Sequence, residues 1–378
     1  RLSENGFIPT QFLGFTWYNQ GDLDLQFSYD FDFWGRRRAA IEAAIDQARA
    51  AQAESNAAAL LLTTAVADTY FAWQGDQLRL ALARSAVGAQ QHNRAIVAAR
   101  TRQGIEDPDD LSKADAALSQ TREQVLATEG SAQVRLVALA ALLGVAPAAL
   151  PKLDTRPLPR TDGGLPAGAG LDLVARRPDI AASRLRVEAA VQDVKQARAA
   201  FFPDINLKAM AGFSSIDLGK LLSPGSRVFQ FAPAIHLPLF DAGSLRARYG
   251  TDRARLDSAI ADYNAAVVDA ARDAATQSLT LSMTLQRADE QAMQVAATQR
   301  QRDSAAARVR AGVSDRRALI AAEVQLLRQR DAAAVLATQR IAADLALIKA
   351  LGGGYRASRP SKTSPPYPTG PDRSRHDR

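Results

Sequence analysis

The chain of 378 residues contains no cysteine. That absence excludes disulfides, thiol nucleophiles and Cys-ligated metal centres. Histidine is nearly as scarce: His92, His236 and His376 are the only three, and they lack metal-ligand spacing. The signatures GxSxG, HExxH, GxxxxGKS/T and GxGxxG are missing as well. No catalytic, metal or cofactor-binding residue is therefore assigned, and no enzymatic activity is expected. No uninterrupted run of about 18 apolar residues occurs, so no transmembrane helix is expected. The sequence opens at Arg1 without Met, an apolar leader or a cleavage site. This fits either a cytoplasmic protein or a chain whose start is missing.

An excess of one charge is also lacking. Lys and Arg number 47 against 40 Asp and Glu, for a net charge of +7 and a pI near 9.8. The two signs are interspersed along helical stretches, which reads as a solvated helix surface and not as a nucleic-acid footprint. No nucleic-acid partner is expected.

What the chain does have is internal repetition. At an offset of 208, Gly35 falls on Gly243, Gly104 on Gly312 and Gly144 on Gly352. Arg102-Gln103-Gly104-Ile105 lies over Arg310-Ala311-Gly312-Val313, with no gap between landmarks. The first repeat occupies 1–150, a Pro/Gly-rich connector 151–170, and the second repeat 171–355. A Ser/Pro/Arg-rich tail at 356–378 reads as disordered.

Proline is absent from Arg36–Gln103 and Ser244–Ala311, each 68 residues rich in Ala, Leu, Arg, Gln and Glu. Helices of that size run to roughly 100 Å, so a coiled-coil or tubular architecture is implied. Leu62, Val66, Tyr70 and Trp73 share one face as an expected buried stripe. Returning helices are expected at about Ser112–Leu143 and Asp315–Leu351, with Ile320, Val324 and Leu327 on one face. Asp107-Pro108-Asp109-Asp110 marks the first hairpin turn, with Asp110 the expected N-cap. Gly312-Val313-Ser314-Asp315 marks the second. A further helix is expected from Pro178 to about Ala200.

From Leu23 to Phe33 the sequence alternates strictly. Leu23, Leu25, Phe27, Tyr29, Phe31 and Phe33 share one face; Asp24, Gln26, Ser28, Asp30 and Asp32 share the other. Three aspartates on one strand face are costly in a closed sandwich, yet natural where lipid covers one side and water the other. About 9–11 residues is the length a spanning strand needs. Ile205–Phe213 and Phe229–Leu239 repeat the pattern. Alternation alone leaves a soluble amphipathic sheet open. If the strands span a bilayer, three cannot close a barrel, and several protomers must share one.

At this point the sequence resembles the TolC-like outer-membrane efflux proteins, in the subclass often made as lipoproteins. The resemblance is carried by Tyr29-Asp30-Phe31-Asp32-Phe33-Trp34-Gly35-Arg36, Ala175-Arg176-Arg177-Pro178-Asp179-Ile180 and Phe201-Phe202-Pro203-Asp204-Ile205. Pro238-Leu239-Phe240-Asp241-Ala242-Gly243, Arg310-Ala311-Gly312-Val313-Ser314 and Ala350-Leu351-Gly352-Gly353-Gly354 complete it. It covers about residues 20 to 355. The implied fold is mainly α with membrane β-strands, a tandem repeat of strands and very long antiparallel helical hairpins. Three protomers would build an α-barrel and a 12-stranded β-barrel.

The resemblance implies a passive export conduit for small molecules in the outer membrane of a Gram-negative bacterium, with its helices in the periplasm. The implied partners are two further copies (a homotrimer), a periplasmic adaptor, an inner-membrane pump and outer-membrane lipid. By the same pattern, a first helix and strand, a signal peptide and any lipidated Cys would precede Arg1. Arg1–Gly21 would be the tail of a strand and a loop. Gly104, Ile105, Gly312, Val313 and Ser314 at the hairpin tips are the expected adaptor contacts. The family often carries a Leu-Asp-Ala-Gln-Arg gate run at the second hairpin. Ile320-Ala321-Ala322-Glu323-Val324 stands there instead, so that lock is not carried over. Arg308, Arg310, Asp315 and Arg316 are the remaining candidate gate charges. The competing readings are a coiled-coil scaffold without channel activity and, less in keeping with the charge pattern, a basic helical nucleic-acid binder.

Overall fold

The computed structural model describes residues 21–159, 176–215 and 218–354. The readings of Arg1–Gly21 (save Gly21 itself), of most of the connector and of the tail fall outside them. The elements run β1 (Gly21–Phe31), α1 (Arg36–Arg102), α2 (Pro108–Leu142), a 3-10 turn (Pro147–Ala149) and α3 (Pro178–Ala199). After these come β2 (Asp204–Ser215), two 3-10 turns, β3 (Arg227–His236), α4 (Ser244–Arg310) and α5 (Arg316–Ala350).

The duplication is explicit in these bounds. α1 and α4 have 67 residues each, α2 and α5 have 35 each, and each pair is offset by 208. The stops match as well. Gly104 and Gly312 hold φ of 71° and 72°, where a Cβ is disfavoured. The Ile105 N–H donates to the Arg100 carbonyl at 2.9 Å and the Val313 N–H to the Arg308 carbonyl at 3.0 Å, so both long helices end in the same glycine-closed turn.

The returning helix α2 starts earlier than expected. Its N-cap is Asp107, whose side chain accepts from the Asp109 N–H at 2.9 Å, not Asp110. Pro108 at the first helical position explains the shift: its fixed φ and missing N–H suit that site alone. Asp315 caps α5 in the same way, accepting from the Arg317 N–H at 3.2 Å.

The chain forms two compact units, one from the chain up to Gln52 with Ala182–Ala265, the other from Ala53–Ala181 and Ala266 onward. These units cut across the duplication, and the boundary falls within α1 and α4. In the second unit, Leu281 of α4 is buried with Ala343 and Leu347 of α5, flanked by Leu285 and Leu351. Ile320, Val324 and Leu327 are buried as the helical spacing requires. Alanine dominates the buried positions, which lets helix backbones approach closely. Gly75 shows how closely: a Cβ there would lie 2.1 Å from Thr338 Oγ1 of α5. The stripe on α1 is only partly buried. Trp73 is covered, Val66 and Tyr70 are half-buried, and Leu62 is left exposed by the described residues.

Polar side chains tie α1 to its neighbours. Asp76, 6% exposed at its side chain, accepts from Ser131 Oγ at 2.8 Å and from Arg135 Nε at 2.6 Å on α2. Arg79 reaches Asp331 of α5 through two nitrogens, at 2.9 and 3.3 Å. Buried Gln74 accepts from the Arg156 N–H and donates to the Asp154 carbonyl, both at 2.9 Å, fixing the start of the connector on α1.

Among the described helices, α2 is long and apolar enough to cross a membrane by length and composition, with an 18-residue window of mean hydropathy 1.3. That departs from the expectation of no such helix; leucines and valines toward its C-terminal end, interrupted by Glu129 and Arg135, are the reason. Arg135 and Glu129 on α2 nevertheless pair with Asp76 and Arg84 of α1, and such charged groups are expensive in hydrocarbon.

Candidate functional site

Two surfaces carry the chemistry: the sheet faces in one unit and the hairpin tips in the other. The sheet is antiparallel, in the order β1-β2-β3. Its register places Phe31, Ile205 and Ile235 in one row, Phe27, Ala209 and Phe231 in another, and Leu25, Ala211 and Phe229 in a third. Directly paired residues point to the same side, so three separately alternating strands combine into one apolar face. That face is uncovered: Leu25 is 78% exposed, Phe229 76% and Ile235 72%. The other face carries Asp24, Gln26, Asp30, Asn206, Lys208 and Gln230. Pro233 sits on the outer strand β3, where a missing donor is tolerated.

The strand stops two residues before the expected end. Phe33 lies in the turn after β1, not in the strand. Asp32 ends it: its carboxylate accepts from the Arg37 and Arg38 N–H groups at 3.1 and 2.9 Å, capping α1. Phe33 still extends the apolar row, its ring 5.5 Å from that of Phe31. Leu237 and Leu239 likewise fall beyond β3, which ends at His236 before Pro238. Beside Phe33, Trp34 stacks on Phe202 with ring centres 4.5 Å apart and donates to the Pro203 carbonyl at 2.9 Å.

At the tips, Ile105 is 61% exposed and Val313 74% exposed, presented by Gly104 and Gly312; Ser314 is half-buried next to them. Of the four expected gate charges, the structure brings only Asp315 into contact with the other hairpin, where it pairs with Arg100. Arg308 bonds Ser304 and Arg310 the Ala306 carbonyl, both on their own helix. Arg316 is exposed.

The rest of the cluster lies in residues that sequence reasoning missed. Glu106, 10% exposed at its side chain, pairs with Arg317 at 2.5 Å and with Arg100 at 3.3 Å. Arg100, Glu106, Asp315 and Arg317 thus tie the two tips together. The duplication held a signal for them, since Arg100 is the first-repeat counterpart of Arg308. The Arg317 N–H, followed by the Arg100 guanidinium, holds the Asp315 carboxyl below the usual aspartate range.

An uncovered apolar sheet face, a charged opposite face and paired long hairpins define a class of protein, the membrane-embedded channel with a helical extension. The comparisons place it more narrowly. The family model described as outer membrane efflux protein matches residues 10–145 and 172–353, and the chain belongs to that family. It is 32% identical over 365 residues to the multidrug resistance outer membrane protein MdtP of Escherichia coli O6:H1, covering 95% of this chain and 75% of that one. It is 32% identical over 340 residues to the outer membrane protein OprJ of Pseudomonas aeruginosa, covering 88% and 69%. The crystal structure of the outer membrane protein VceC from Vibrio cholerae superimposes with a TM-score of 0.81 at 31% identity, covering 94% of this chain and 85% of that one.

Proposed function

We propose that the protein is the outer-membrane channel component of an efflux system, a passive conduit through which small molecules leave the cell. One observation carries this reading: three strands in register expose a continuous apolar face on one side and a charged face on the other, and are continuous with two long hairpins. Lipid satisfies the first face and water the second. A coiled-coil scaffold has no use for such a sheet.

Closing a barrel in lipid requires partners for the sheet edges, which favours a homotrimer sharing one barrel. The uncovered Leu126, Val134 and Val137 on α2 favour further copies at the helical level too. In this reading Ile105 and Val313 meet a periplasmic adaptor, and an inner-membrane pump supplies the energy. The Arg100–Asp315 and Arg317–Glu106 pairs hold the two tips of a protomer together and give way when the aperture widens. The relatives' names support export of drugs.

The test is reconstitution of the purified protein into planar lipid bilayers alongside determination of its mass in detergent. Trimers and stepwise conductance are expected; a monomer that never conducts overturns the reading.

A further inference from the structure

A cleft of about 430 Å³ opens beside the Trp34–Phe202 stack, between the first turns of α1 and the last turns of α3. Arg38, Lys195 and Arg198 line it, with Glu42 as its one carboxylate. Among the described residues, none of the three cationic side chains forms an ion pair or hydrogen bond with the protein. Elsewhere on these helices cations are matched: Arg37 by Asp30, Arg49 by Asp46, Arg184 by Glu188. An unmatched cluster of three around an aromatic floor is the exception.

Its place in the fold says what would match it. Trp34 follows Phe33, which is 66% exposed and stacked on Phe31 at the end of the apolar sheet face. Phe202 precedes β2 in the same way and is 41% exposed. Strand ends and helix ends meet here, at the depth where aromatic side chains border a bilayer. Lipid acyl chains lying on the sheet would bring their headgroups to this level. A phosphate there meets three cations and one carboxylate, a net attraction, whereas a zwitterionic headgroup brings a cation of its own and gains less.

We propose that this cleft binds the headgroup phosphate of an anionic phospholipid, resting on the reading of the sheet as membrane-spanning. The duplication sharpens the assignment. In the second repeat Arg246 stands in place of Arg38, but Ala242 replaces Trp34, so the indole is lacking there.

The test is native mass spectrometry of the protein in neutral detergent, offered phosphatidylglycerol and phosphatidylcholine in equal amounts, with inorganic phosphate as competitor. Selective retention of phosphatidylglycerol is expected. Arg38→Gln, Lys195→Gln and Arg198→Gln should each weaken it by about fivefold, and Glu42→Gln should strengthen it by about as much. Arg184→Gln, outside the cleft, should leave it unchanged. Because Glu42→Gln acts in the opposite direction, a merely misfolded variant cannot mimic the pattern. Equal retention of the two lipids, or cation variants that bind as the parent does, overturns the proposal. Displacement by inorganic phosphate at equal concentration reassigns the cleft to a free anion and overturns the lipid. Bilayer conductance of the parent protein separates the two readings: a conducting channel that fails these measurements removes the lipid site alone.

Discussion

The two repeats agree at the glycine turns that end α1 and α4, and diverge almost everywhere chemistry is concentrated. Gly104 and Gly312 close the same turn, and Asp107 and Asp315 cap the same helix start. Yet Glu106, buried between two arginines, corresponds to Ser314, which gives Arg308 no carboxylate to meet. Midway along the long helix, Asp76 with its Ser131 and Arg135 partners corresponds to Thr284, which bonds only the Thr280 carbonyl of its own helix. Where strand passes into helix, Asp32 caps α1, whereas Asp241, one position out of register, caps α4 through the Leu245 N–H at 2.6 Å. Backbone turns and helix caps have been kept in both copies, while the Glu106 and Asp76 links exist in only one. A duplicated chain needs its turns twice, but each polar link between hairpins requires one acid and one base, which the copies divide between them.

The largest expected effect tests the mid-helix difference. Asp76→Ala leaves Arg135 and Ser131 without their acceptor inside a mostly buried site, and should lower unfolding stability by about 2–3 kcal/mol. Thr284→Ala removes only a bond within its own helix and should cost under about 1 kcal/mol. Thermal melts of the two variants check the ordering; equal losses would show that the repeats are balanced after all. Next comes the junction. Trp34→Ala gives up the Phe202 stack and the Pro203 bond, for about 1–2 kcal/mol given its half exposure. At the corresponding position, Ala242 holds φ of 51°, so Ala242→Gly should raise stability by about 0.5–1 kcal/mol. Opposite signs at equivalent positions, read from denaturant midpoints, are the signature to look for.

Most of this architecture was legible in the sequence because its signals are local. Proline-free length set the helices, glycine spacing set the turns, and period-two alternation set the three strands. The boundaries that slipped did so where a side chain captured a backbone N–H: Asp32 pulled Phe33 out of β1, and Asp107 started α2 ahead of Asp110. The tip cluster was harder to read. Arg100 and Arg317 are 217 positions apart, and only the repeat offset that sets Arg100 against Arg308 marks one of them among the many arginines on the helices. Only the packing of one hairpin beside the other adds Arg317 to the Arg100 that Glu106 meets on its own hairpin. Leu62 failed as a core residue for the opposite reason, since the helical period identifies an apolar face without saying what covers it.

The tip offers the third contrast. Glu106→Gln keeps the shape but weakens both arginine pairs, and should cost about 1 kcal/mol, since Arg100 and Arg317 are each about one-third exposed. In reconstituted bilayers it should also raise the fraction of time spent in high-conductance states. Ser314→Glu supplies the second tip with the acid it lacks, and should offset part of that loss in the double variant. A Glu106→Gln channel indistinguishable from the parent in both stability and conductance would remove the tip cluster from any gating role.

The smallest effect is the most discriminating. Asn caps a helix as well as Asp does, so Asp107→Asn should be nearly silent. Asp315→Asn also keeps its cap but gives up the Arg100 pair, worth about 0.2–0.5 kcal/mol for groups this exposed. Because the folded protein holds the Asp315 carboxyl below its ordinary range, its contribution is fully present above that range and fades as the pH falls through the lowered value. Parent and Asp315→Asn should therefore differ at neutral pH and converge in acid, whereas parent and Asp107→Asn, with no charged partner across the tips, should run together at neutral pH. Paired melts at neutral and acidic pH check this. Coinciding melts at neutral pH would mean that Asp315 acts through its cap alone and that the bond between the two tips contributes nothing.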